Sequence, residues 1–183
     1  MTLSRRRLIV GAAALPPALA AGGAAASTAA EIDARVRIAV EALTTRVPGG
    51  AELWAQARAA LVLPDIVRGG FVIGGAYGEG ALLIGGETAG YYSFAAASLG
   101  FQAGAQRMTQ VLLFMTDAAL AGFRASNGWR VGADASVTVL DTGVATGVDS
   151  LSNPAPIIAI VFGQDGLMAG ASVEGGRISP IRR

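Results

Sequence analysis

The sequence predicts an α+β fold, with an N-terminal helical pair and one later helix packed on a Gly-rich antiparallel β-sheet. Three observations carry this expectation. Two segments before Pro64 repeat apolar residues at helical spacing. From Ile66 to Gly104 the chain is dense in glycine, with short apolar or aromatic runs between the glycines. Two runs, Gln110–Met115, apolar after its first residue, and Ile157–Phe162, read as buried strands. Strands grouped apart from helices indicate α+β rather than alternating βαβ units.

The elements follow in order. Thr28-Ala29-Ala30-Glu31 has capping-box spacing, so a helix starts there. Ile32, Val36, Ala39, Val40, Leu43 and Val47 form its apolar face. Glu31 with Arg35, and Asp33 with Arg37, are i,i+4 pairs in the favourable order. Val47-Pro48-Gly49-Gly50 stops this helix. A second helix is expected from about Ala51 to Leu61, ended by Pro64, because the residue before a proline resists helical geometry.

Phe71-Val72-Ile73, Ala81–Ile84 and Tyr91–Phe94 then read as short antiparallel strands with tight turns and close backbone approach at the glycines. Tyr91 and Tyr92 point to opposite faces of such a strand. Thr116 caps a helix from Asp117 to about Ser126, closed by Asn127-Gly128. Trp129 to Leu140 is a further strand stretch and Thr142 to Pro156 a polar loop. Asp165-Gly166 reads as a hairpin turn after the Ile157–Phe162 strand. Leu167 to Val173 returns, Glu174-Gly175-Gly176 turns again, and Arg177 to Ile181 ends the sheet.

Composition narrows the chemistry. The 183 residues include no histidine and no cysteine, and all fourteen basic residues are arginines. Histidine is the usual base near neutral pH, cysteine the usual soft nucleophile, and lysine the Schiff-base former and P-loop cation. Ser-His-Asp and Cys-His hydrolysis, zinc fingers, Walker-type nucleotide hydrolysis and lysine-bound pyridoxal chemistry are therefore excluded. No metal site and no cofactor is expected. Gly78-Glu79-Gly80 lacks the third glycine of a dinucleotide fingerprint, since position 83 is Leu83. Glu79, Glu87, Asp134, Asp149, Asp165 and Glu174 sit in or beside predicted turns with no sign that two converge.

One hydrolytic pattern survives. Leu140-Asp141-Thr142-Gly143 ends a strand the way aspartic proteases present a catalytic carboxylate, with two copies sharing one proton. Asp-x-Gly is also common turn chemistry after a strand. A hydrolase using Asp141 is the remote alternative to a protein that binds and does not transform its ligand.

The N-terminus reads as an export leader over residues 1–26, followed by one domain over 27–183. Ser4, Arg5, Arg6 and Arg7 form a twin-arginine pattern ahead of an apolar run from Leu8 to about Ala21. That run is shorter than the ~20 residues of a membrane span. Ala24-Ala25-Ala26 before Ser27 is a small-residue cleavage site. The expected location is periplasmic, with peripheral membrane association. Removing three of fourteen arginines leaves eleven basic against thirteen acidic residues, a net charge of −2. Nucleic-acid binding needs a clustered basic surface and is rejected.

Arg35, Arg37, Arg58 and Arg68, with Trp54, are the candidate ligand contacts. They fall in or beside the two N-terminal helices, and arginine on an amphipathic helix with tryptophan nearby suits anionic phospholipid at a membrane surface. Glu31, Asp33, Glu41 and Glu52 intersperse them and would also serve a salt-bridged solvent face. Trp54 and Trp129 read as core anchors ahead of membrane anchors.

From Pro64 onward the sequence resembles the SYLF family, also called YSC84. The residues that carry this are Leu63-Pro64-Asp65-Ile66 with Gly69-Gly70-Phe71, Gly85-Gly86 before Tyr91-Tyr92, Gly100–Gln106, Leu113–Leu120, Gly128-Trp129 with Val131-Gly132, and Phe162–Gly170. The bacterial exported branch is the most similar. The resemblance implies a non-enzymatic lipid-binding domain, with phosphoinositide-type headgroups among its ligands. The chain departs from many bacterial members in having no lipobox cysteine, and it has no lysine. The alternative within this reading is a periplasmic structural or protein-interaction module, with a protein partner or self-assembly in place of lipid.

Overall fold

A computed structural model describes residues 26–70, 73–99, 104–134, 136–141, 155–166 and 176–183. The elements run α1 (Ala29–Arg46), α2 (Gly50–Gln56), β1 (Ala59–Gly70), β2 (Ile73–Ile84), β3 (Glu87–Leu99), β4 (Gly104–Phe114), α3 (Asp117–Ala125), β5 (Trp129–Arg130), β6 (Val137–Asp141), β7 (Ile157–Gly166) and β8 (Arg177–Ile181). All eight strands join one sheet in the order β5-β8-β3-β2-β1-β4-β7-β6. Every pairing is antiparallel except β6 with β7, which is parallel. The α+β expectation holds, with that one departure from an antiparallel sheet.

The helix α1 starts as its sequence requires. Thr28 accepts from the Glu31 amide at 3.3 Å, and the Thr28 amide donates to Glu31 Oε2 at 2.7 Å, so both halves of the capping box are closed. Ile32, Val36, Ala39 and Leu43 are buried against the sheet. Gly49, at φ 74°, supplies the left-handed turn between α1 and α2.

The helix pair covers one face of the sheet. Its four buried residues and Leu53 pack on Ala60, Val62, Ala81, Leu83, Val111, Leu113, Ile158 and Ile160. The opposite face buries Leu61, Leu63, Phe94, Leu112 and Phe114 with Phe123 of α3 and Trp129. Phe123 sits 5.0 Å from both Tyr92 and Phe114 and meets Trp129 edge-on at 5.7 Å. Strands β1, β4 and β7 are thus buried on both sides, which is why their sequences read as apolar runs without alternation.

Several expectations are corrected. The second helix ends at Gln56, and Ala59–Leu61 is already strand. Alanine-rich sequence favours a helix weakly, and pairing on both sides, with Leu82 and Leu112 at Leu61, outweighs that preference. Pro64 does not precede the sheet; it lies inside β1. The register against β4 jumps from Leu63↔Gln110 to Ile66↔Met108, so Pro64 and Asp65 together oppose Thr109 as a bulge. Asp65 takes φ 54° there.

The glycine-rich strands are 12 and 13 residues long rather than short. Gly85 and Gly86 do turn, at φ 60° and 87°. Gly80 instead lies mid-strand, where a Cβ would stand 1.9 Å from the Val62 carbonyl oxygen. The stretch from Trp129 splits into β5 and β6, and β6 runs parallel to β7. Asp165 and Gly166 pair with Arg107 and Gln106 within β7, so no hairpin turns at that point. Residues 167–175, expected to return and turn, lie outside the described residues, as does the loop from Thr142 to Pro154.

Candidate functional site

The site forms where α1 passes over the bulge of β1. A second irregularity faces it. Between Arg107↔Asp165 and Thr109↔Phe162 the strand β7 carries one extra residue, with Gly163 at φ 63°. The two bulges flank Thr109. A cleft of about 520 Å³ opens there, lined by Arg35, Ile38, Ala42 and Arg46 of α1, Pro64 and Asp65 of β1, and Phe162 and Gly163 of β7. Its walls are mostly apolar and its rim carries two guanidinium groups and one carboxylate.

A second cleft of about 680 Å³ shares Arg35, Pro64 and Asp65 with the first. It continues over Val67, Tyr77, Glu79 and Arg183 and reaches Ala26 and Ser27. Its floor is polar. Arg183 donates to Glu79 Oε1 as a short ion pair, with the two side chains 17% and 7% exposed. The Tyr77 hydroxyl donates to the same oxygen at 2.7 Å. Glu79 Oε2 is buried and has no hydrogen-bond partner among the described residues.

Burial pushes the Glu79 carboxyl up, but hydrogen bonds from Tyr77 and Arg183 and the charge of Arg183 outweigh it, with Ser27 adding to the pull; the group lies below the usual carboxylate value. The Tyr77 hydroxyl is pushed up by burial first, then by its bond to Glu79 and that carboxylate's charge.

The predicted contacts are separated by this geometry. Arg35 lines both clefts. Arg37 and Trp54 lie on the other flank of α1, in a groove of about 790 Å³ with Asp33, Glu41 and Glu87. Arg58 and Trp54 border a small recess by Gly85 and Gly86. Arg68 pairs across the sheet with Ala76 and Gln106, on the face opposite α1. Arg35 and Arg37 part company because two residues turn a helix by about 200°.

The predicted ion pairs along α1 give way to other contacts. Glu31 turns back to Thr28, while Arg35 reaches the Glu31 carbonyl at 3.2 Å. Asp33 accepts from Thr88 and from Tyr91, each at 3.0 Å, and so ties α1 to β3. Trp129 is a core anchor; Trp54 is half-buried against the helix-side core. Tyr91 and Tyr92 face opposite sides as expected, both half-buried.

Other expectations fall as follows. Asp141 ends β6 opposite Val161, and Thr142 and Gly143 lie outside the described residues. So do Ser4, Arg5, Arg6 and Ala24 of the expected leader, whereas Ala26 is exposed at the edge of the second cleft. Among the described residues no group of three acidic side chains is placed to hold a metal ion. No described helix is long and apolar enough to cross a membrane.

Sequence reasoning missed Ile38, Asp65, Glu79 and Arg183. Ile38 carried a signal, since it interrupts the polar face of α1, and it is 66% exposed. Val67 and Tyr77 are exposed as well, at 45% and 52%. Of four large apolar side chains exposed among the described residues, these three edge the two joined clefts; the fourth is Val139.

The fold is of the α+β class, a mixed sheet clasped by a helical pair, with joined clefts that combine exposed apolar side chains and arginines. The Ysc84 family model, described as "Las17-binding protein actin regulator", matches residues 95–182. That stretch, from the second half of β3 to the end of β8, is similar to the Ysc84 (SYLF) family, and the resemblance read from the sequence holds over it; the motifs before Ala95 lie outside the match. The comparison with curated proteins gives no match. The clefts draw Thr109, Phe162 and Gly163 from inside the matched stretch and Arg35, Pro64 and Asp65 from before it.

Proposed function

We propose that the protein is an exported, non-enzymatic domain of the bacterial envelope that binds phospholipid at a membrane surface through the α1 face. The observation that carries this reading is the gathering of Ile38, Val67 and Tyr77 around clefts edged by Arg35, Arg46 and Arg183. Exposed apolar side chains clustered on one face mark an interaction site. Their apolar bodies suit the acyl boundary and the guanidinium groups suit phosphate. Phosphoinositide-type headgroups are candidates through the family resemblance. Residues 1–26 act as the leader and 27–183 as the domain; protein recovered from the periplasm with Ser27 as its first residue supports this, and an intact Met1 opposes it.

Vesicle co-sedimentation of the full chain tests the binding. Arg35→Gln with Arg46→Gln is compared with Arg37→Gln and Arg58→Gln, on mixed ethanolamine and glycerol phospholipids and on phosphoinositide-containing vesicles. Each interfacial arginine contributes about 1 kcal/mol, so the first pair is expected to weaken binding roughly tenfold or more, and the second pair less. Equal loss in both pairs overturns the placement. No binding of the full chain overturns the lipid reading. It would favour a protein-interaction module, the reading that the family's description as a Las17-binding protein suggests.

A further inference from the structure

The second cleft holds both signs of charge. Arg35 and Arg183 line it together with Asp65 and Glu79, and Tyr77 stands at its edge with half its surface exposed. A ligand that is only anionic would leave Glu79 and Asp65 opposed to it. A ligand that is only cationic would face the two guanidinium groups. The arrangement instead matches a ligand carrying a phosphate and an ammonium a few bonds apart.

Glu79 sharpens the choice. Its Oε1 is taken by Tyr77 and Arg183, while its Oε2 is buried without a partner among the described residues. A buried carboxylate oxygen in that state is costly, and an N–H donor removes the cost. A primary ammonium has three such donors, whereas a quaternary ammonium has none. Ser27 lines the cleft beside this carboxylate. Tyr77 lines the same cleft and its hydroxyl holds the other oxygen of this carboxylate. The adjoining cleft, with Ile38, Val47 and Phe162 on its walls, supplies the apolar channel that an acyl chain requires.

We propose that the two clefts meeting at Arg35, Pro64 and Asp65 form one site for a phospholipid with a primary-amine, ethanolamine-type headgroup. Its phosphate lies between Arg35 and Arg183, its ammonium donates to Glu79 Oε2 and faces Asp65, and one acyl chain runs along Ile38 and Phe162. This rests on the lipid-binding reading and narrows it to a headgroup.

The test is co-sedimentation of the full chain with phosphatidylcholine vesicles doped, in turn, with phosphatidylethanolamine, phosphatidylglycerol or a phosphoinositide. The leader is common to every variant, so differences report the cleft. Ethanolamine lipid is expected to bind about tenfold more tightly than choline lipid alone, the scale of one charge-assisted hydrogen bond. Glu79→Gln is expected to erase that preference while keeping residual binding. Asp65→Asn, at an exposed position whose left-handed backbone asparagine also adopts, is expected to reduce it severalfold and keeps the test alive if Glu79→Gln fails to fold. Binding without headgroup preference, or with preference for glycerol or inositol headgroups, overturns this assignment and leaves the lipid reading standing. Absence of binding to every vesicle removes the lipid reading, and with no stabilisation by soluble O-phosphoethanolamine it removes this assignment as well. Soluble O-phosphoethanolamine separates the two sources of the same chemistry: a raised melting temperature without vesicle binding supports the headgroup site and assigns it to a free ligand.

Discussion

Arg183, just beyond β8, closes onto Glu79, a residue 104 positions earlier. The pair joins the segment after β8 to the middle of β2 and lies under the cleft that α1 borders. Tyr77 shares the same carboxylate oxygen at 2.7 Å, so three side chains depend on one buried charge.

Removing the guanidinium leaves that charge without its main partner. Arg183→Ala is expected to lower stability by about 2–3 kcal/mol near neutral pH, toward the low end for a broken buried pair because the guanidinium is 17% exposed. The Glu79 carboxyl is held below its usual 4.5 in the folded protein. Its contribution is therefore complete above that value and is lost as the pH falls through the lower folded one. The gap between parent and variant should stay constant from neutral pH to about 5 and narrow below 4.5, measured by urea denaturation at stepped pH. A gap that widens in acid contradicts this account.

Asp33 fixes α1 on β3 through Thr88 and Tyr91. Tyr91→Phe and Asp33→Ala are each expected to cost about 1 kcal/mol. The double variant should cost less than their sum, because one hydrogen bond is removed by either change. Additive losses in denaturant midpoints would show that the bond contributes nothing.

Two glycines of β2 separate backbone proximity from flexibility. A Cβ at Gly80 meets the Val62 carbonyl oxygen at 1.9 Å and Leu63 Cα at 2.9 Å, whereas at Gly75 the nearest atom is the Ala96 oxygen at 3.6 Å. Gly80→Ala is expected to destabilise by more than about 3 kcal/mol and Gly75→Ala by less than about 0.5 kcal/mol. Thermal melts that rank them the other way would refute the packing of β1 on β2.

Gly122 lies within α3 with open space where a Cβ would be. Gly122→Ala is expected to raise stability by about 0.5–1 kcal/mol, read as an upward shift in melting temperature. A loss would mean that the helix needs the glycine for a contact beyond the described residues.

The sequence was legible where one physical signal dominated. The spacing of Ile32, Val36, Ala39 and Leu43 names the buried stripe of α1, and Thr116 marks the start of α3, its side chain accepting from the Ala119 amide. The apolar run at Val111–Phe114 and that at Ile157–Phe162 become doubly covered strands. Legibility failed where two signals compete. Ala57–Leu61 suits a helix by composition, yet sheet pairing on two sides claims most of it. Glycines that look like turn residues are needed at Gly78 and Gly80 because Ile66 and Val62 press against them.

Of the site, Arg35 could be chosen because helical spacing is local. The pairing of Glu79 with Arg183, and the convergence of Asp65 with Arg35, depend on strand order and on a bulge, which no local pattern encodes. Arg68 reads with the helices for want of the same information; an odd residue in β1 sets its direction.

That odd residue sets parity for half a strand. Before the bulge, Leu61 and Leu63 point away from α1; after it, Ile66 does, three positions on rather than two or four. Were one residue deleted between Leu63 and Ile66, every side chain from Ile66 to Gly70 would exchange sides. Ile66 would leave the core for the helix flank, Val67 would be drawn inward, and Arg68 would emerge beside Arg35. A single codon's length in this place therefore acts as a switch between two surfaces of opposite character, and chain length here is constrained more tightly than residue identity.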